Sequence, residues 1–96
     1  MVNSFMDFVA VLEIEIQKLN DAADYLNEEG QLLLRAYRKI RNLTSFAEDC
    51  RELLEVGVEA ELNEAEKKAA SMALRAIRRV ANAEEAEENA GRARQA

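Results

Sequence analysis

The sequence predicts an all-α protein, an up-down-up bundle of three long helices. Three observations carry that expectation. Apolar residues recur at alternating spacings of three and four along most of the chain. Strong helix formers (Ala, Leu, Glu, Arg, Lys, Gln) dominate nearly everywhere. Proline is absent, and glycine stands only at positions 30, 57 and 91. The 96 residues suit a single helical domain spanning 1–96, and 49% hydrophobic with 33% charged residues suits a folded chain rather than a disordered one.

The first helix is expected over residues 3–29. Phe5, Val9, Leu12, Ile16, Leu19, Ala23 and Leu26 follow one another at steps of 4, 3, 4, 3, 4 and 3, an unbroken heptad stripe. Leu12 to Gln17 alternates apolar and polar as a half-buried strand would. A lone strand has no partner here, and the helical spacing continues on both sides, so helix is the reading. Gly30 then supplies a left-handed residue to end it.

The second helix is expected over residues 31–56. Leu33, Ala36, Ile40, Leu43, Ala47, Cys50 and Leu54 carry a stripe whose phase never slips. The alternative is four helices, with a break near Asn42 and Ser45. Ser45 and Glu48 have the spacing of a capping box. Arg35, Arg38, Lys39 and Arg41 suit a helix C-terminus, and Glu48, Asp49 and Glu52 suit the next N-terminus. Gly57 followed by Val58 resembles a Schellman ending, with Val58 touching Leu53.

After an acidic connection, Asn63 and Glu66 form a capping box for a third helix over residues 63–90. Its apolar face is Ala69, Ala70, Ala73, Leu74, Ile77, Val80 and Ala81, with Met72 beside it. Small residues dominate, so a neighbouring helix can approach closely. Beyond Val80 no large apolar side chain remains, and residues 84–96 are expected to project or fray.

Helix 1 carries more apolar surface than one core stripe requires. Met6, Ala10 and Ile14 form a second row at i, i+4 and i+8, with Val11 alongside. A three-helix monomer leaves that row wet, so it is the candidate surface for homo-oligomer formation, with a two-fold dimer favoured. Phe46 and Leu53, lying to one side of the second helix's stripe, are candidate extensions of the same interface. A protein partner on this row, or on the acidic stretch 48–66, is the alternative, in which the chain is a small cytosolic adaptor or regulator.

The residues point away from catalysis. Histidine is absent, which removes the imidazole base and the commonest transition-metal ligand. The single cysteine, Cys50, sits at a core-facing position and reads as structural. Acidic pairs such as Glu13/Glu15 and Glu84/Glu88 read as solvated helix faces. The paired carboxylate motifs of MazG-like pyrophosphohydrolases are half met by Glu52 and Glu55, but no Glu-x-x-Asp occurs. Helical chorismate mutases use Arg, Lys, Glu and Gln at similar length; they need an arginine inside helix 1, where Lys18 is the lone cation. Phosphate-binding glycine loops are missing. No catalytic residue, cofactor or metal is therefore expected, and a histidine-free helical enzyme is the remote alternative. The basic clusters Arg35/Arg38/Lys39/Arg41 and Arg75/Arg78/Arg79 are expected in an inter-helix ion-pair belt with Asp21 and Asp24.

A net charge of −6 speaks against nucleic acid as the main partner. No uncharged stretch approaches the roughly 20 residues needed to span a bilayer, and no secretory leader is apparent, so neither membrane nor export is expected and a cytoplasmic location is the default.

The near-continuous heptads, the Asn63/Glu66 box, glycine at helix ends and the alanine-, glutamate- and arginine-rich stretch 65–96 resemble computationally designed or engineered helical-bundle proteins. That resemblance implies a scaffold whose function is to fold and assemble. Cys50, the two-sided helix 1 and the irregular junction at Val56, Gly57 and Val58 depart from it.

Overall fold

The computed structural model describes residues 4–95 in backbone and 5–86 in side chain. Among the described residues the chain is all helical: α1 (Ser4–Asp21), α2 (Glu28–Thr44), α3 (Cys50–Glu55), α4 (Val58–Glu61), α5 (Glu64–Ala69) and α6 (Ser71–Gln95), with one 3₁₀ turn at Ala23–Tyr25.

The first boundary falls earlier than the heptad stripe suggests. Gly30 does not end a helix. It lies in the first turn of α2, where its N–H donates to the Asn27 side chain at 2.8 Å. Asn27 has the extended backbone of an N-cap, and Glu28 and Glu29 follow where the helix dipole favours acids. This start signal prevails over the glycine stop. The stripe accordingly loses its last members: Ala23 is exposed and Leu26 half-buried in the turn.

The second stripe is also interrupted, at the position of the four-helix alternative. Helix α2 stops at Thr44, whose hydroxyl donates back to the Arg41 carbonyl. Ser45 is no N-cap. Its backbone is right-handed helical, and its hydroxyl donates to the Asn42 carbonyl. The cap of α3 is Asp49, in extended conformation, accepting from the Glu52 N–H at 2.7 Å while Glu52 Oε2 accepts from the Glu48 N–H at 2.6 Å. A side-chain cap does occur here, four residues later than the serine suggests, with the Glu52 carboxylate reaching back to the residue before the N-cap.

The two remaining signals match the backbone. Gly57 has φ of 83° and ends α3 in the left-handed region, and Val58 turns inward to full burial. At Asn63 and Glu66 both halves of the capping box form. The third segment is helical from Glu64 onward, apart from one turn residue, Ala70, between α5 and α6.

Helix α1 packs against α2 and α6, α2 also against α5, and α3 against α6. The core gathers Phe5, Phe8, Leu12 and Ile16 of α1, Leu34, Ala36 and Ile40 of α2, Cys50 and Leu53 of α3, Val58, Leu62, and Ala70 to Ala81 on one face of the last segment. The apolar face predicted for the third helix is at least half buried throughout, except for the neighbouring Met72, which is exposed. A radius of gyration of 15.0 Å exceeds the roughly 12.5 Å of a compact chain this long, as α6 extends well past its last core residue, Ala81. Its backbone remains helical through Gly91 to Gln95, past the expected helix end at residue 90, so the tail projects as helix and does not fray over those residues.

Candidate interaction surface

Helix α1 has two faces of different fate. Phe5, Phe8, Leu12 and Ile16 turn into the core. On the other side Met6, Val11 and Ile14 are 59%, 58% and 55% exposed, and Ala10 between them is exposed as well. The row anticipated from spacing therefore lies on the surface of the single chain. It borders a trough of about 300 Å³ between α1 and α6, lined by Asp7, Phe8, Val11, Ala76 and Val80. Ala76 and Val80 continue, at steps of four, from the exposed Met72.

The two outlying members of the candidate set separate. Phe46 is exposed in the connection between α2 and α3. Leu53 is a correction: it is completely buried and belongs to the core, not to any interface. Once the chain breaks at residues 45–49, α3 is free to rotate independently of α2, and its Cys50/Leu53 side packs on α6.

The charged groups mostly serve the fold. Lys39 Nζ on α2 donates to Glu66 Oε1 on α5 at 2.8 Å. Glu66 is 1% exposed, and the Lys39 hydrogen bond holds its carboxyl below the usual glutamate range against the upward push of burial, with the Asn63 N–H and the charges of Lys39 and Arg35 assisting. Oxygen Oε1 thus serves both the cap and the ion pair, while Oε2 is buried without a hydrogen-bond partner. Arg78 pairs with Glu59, joining α6 to α4, and Arg38 donates to the Asn20 side chain, joining α2 to α1. The basic clusters do bridge helices, as expected, but through Glu59, Glu66 and Asn20 in place of Asp21 and Asp24. Asp21 instead accepts from Gln17 on its own helix. Sequence reasoning missed Glu66 as a buried ion: its capping role was visible, but its burial depends on α2 lying across the start of α5.

The Cys50 thiol is buried and pushed up to about 12 by that burial and by the charges of Glu84 and Asp49, so it is held as the unreactive thiol. A second concavity of about 590 Å³ lies between the first turn of α2 and α5; Leu32, Leu33, Ala65 and Ala69 supply much of its wall, with Glu29 and Lys68 as its charges. Neither it nor the α1–α6 trough is lined by Arg35, Arg38, Arg75 or Arg78. Among the described residues, no three Cys, Asp or Glu side chains cluster so as to hold a metal ion, and no helix is long and apolar enough to cross a membrane.

No protein family model matches this chain, and no curated protein or solved structure is significantly similar to it.

Proposed function

We propose that the chain is a structural, self-associating helical bundle without a catalytic site, whose activity is to fold and pair with a second copy. In this reading residues 4–21, 28–44 and 64–95 run up, down and up, and an exposed face of α1 is the contact surface. One observation carries it: Val11 and Ile14 sit mid-helix, over half exposed, although the opposite face of α1 already supplies a complete core stripe. With over half of each side chain still in water, each forgoes roughly half of the about 1.5–3 kcal/mol that full burial contributes. The regular heptads and capping box are those of an engineered scaffold, and assembly suits one.

Binding a different protein is the alternative. The acids of residues 48–66, the other surface considered for a partner, are partly consumed by the fold: Asp49 and Glu52 cap α3, Glu59 pairs with Arg78, and Glu66 is buried. That favours the apolar row over the acidic stretch as the contact surface.

Light scattering coupled to size exclusion tests the proposal. At high micromolar concentration the expected species is a dimer, and Ile14→Glu is expected to elute as a monomer with unchanged helical circular dichroism. A wild-type chain that stays monomeric, or an Ile14→Glu variant that associates as before, overturns it.

A further inference from the structure

We infer that two copies pair through α1 in antiparallel register, with Asp7 of each chain opposite the partner's Lys18; this rests on the self-association proposed above and specifies its geometry. Asp7, Val11, Ile14 and Lys18 follow one another at steps of 4, 3 and 4. At 3.6 residues per turn they fall within roughly 60° of arc, a narrow heptad seam. All four are exposed, on the side of α1 away from the core-facing Phe5, Leu12 and Ile16.

The order of that seam is acid, aliphatic, aliphatic, base. A two-fold axis between residues 12 and 13 places Val11 against the partner's Ile14 at the centre. The same operation places Asp7 against the partner's Lys18 at both ends. The charged ends lie about 16 Å apart at 1.5 Å per residue, so two ion pairs bracket the apolar centre. A parallel pairing would set Asp7 against its own copy and Lys18 against its own copy, two like-charge contacts. The seam is thus self-complementary in one direction only, which is what an isologous contact requires. Lys18 has only a loose 3.4 Å contact with Glu15 of its own helix, and both side chains are substantially exposed, so re-aiming it costs little. Val11 also borders the trough beside α6, a recess into which the partner's Ile14 can settle.

The test is charge exchange, read by analytical ultracentrifugation at low ionic strength. Asp7→Lys alone and Lys18→Asp alone each place like charges at both ends, and each is expected to weaken the dimer about tenfold or more. An equimolar mixture of the two variants restores opposite charges at both ends, so a heterodimer of near wild-type affinity is expected. The double variant Asp7→Lys/Lys18→Asp is expected to regain affinity by itself. Because the mixture contains only the two weakened chains, its recovery cannot arise from a folding defect. Single variants that dimerise like wild type, or a mixture that gains nothing, overturn the register. So does a mixture that binds more tightly than wild type while the single and double variants all dimerise like wild type, since parallel pairing puts like charges at both ends of each of those homodimers and opposite charges only in the mixture. If Ile14→Glu abolishes the dimer while both charge variants leave it intact, self-association stands and this geometry falls. A wild-type chain that never dimerises removes the underlying reading instead.

Discussion

At the scale of single residues, two buried groups define how the interior treats charge. Glu66 remains ionised at 1% exposure because Lys39 and the Asn63 N–H both donate to Oε1. Its carboxyl titrates below the unfolded value, so its contribution is complete above about pH 5 and is lost as pH falls through the folded-state pKa. Urea midpoints should therefore decline on acidification, and Glu66→Gln should show less of that decline. At neutral pH the same substitution should cost about 1–3 kcal/mol, the range for disturbing a buried hydrogen-bonded group, moderated because Lys39 is 45% exposed and water screens it. Cys50 shows the opposite outcome. With no cation donating to it, the thiol is driven upward, to about 12. Alkylation by iodoacetamide at pH 8 should be negligible in the native protein and should rise with the unfolded fraction in urea. The core position of Cys50 was legible from its place in the stripe. The burial of Glu66 was not, since the capping motif is compatible with full exposure.

At the scale of elements, helix starts and stops decide the architecture, and competition between neighbouring signals decides each boundary. Asn63 with Glu66 stands unopposed and reads directly. Gly30 and Ser45 do not, because Asn27 and Asp49 nearby cap the helix starts with their side chains and are followed by acidic first turns. A glycine stop is effective only where the chain adopts positive φ, as at Gly57 alone among the described residues. An alanine Cβ at position 57 would lie 3.5 Å from the Ala60 Cβ, an ordinary contact. Gly57→Ala should therefore cost about 1–2 kcal/mol through left-handed backbone strain rather than clash. Asn63→Ala should cost about 1 kcal/mol through the lost cap. Both are measurable as shifts in thermal or urea midpoint, and the two sites are separate enough in function for their effects to be compared directly.

At the scale of the whole molecule, the helices form one core to which α1, α2, α3, α4 and α6 contribute side chains. Leu53 illustrates what this entails. On a continuous second helix it falls beside the main stripe, towards the surface. On the separate α3 it is fully buried, because α3 packs on α6 as an independent piece. Leu53→Ala should accordingly behave as a core truncation costing about 2–5 kcal/mol, whereas Phe46→Ala, at an exposed site, should stay within about 0.5 kcal/mol in the monomer. Comparing their denaturation midpoints checks that division. The sequence by itself determined the helical class, the inward stripes of the first and last segments, the exposed row on α1 and the strongest cap, because hydrophobic period and capping chemistry act over a few residues and are written locally. Tertiary structure alone decided that Leu53 belongs inside and that Lys39 meets Glu66. Those outcomes depend on which helix lies across which, and a contact between residues 27 positions apart leaves no periodic trace in the chain that makes it.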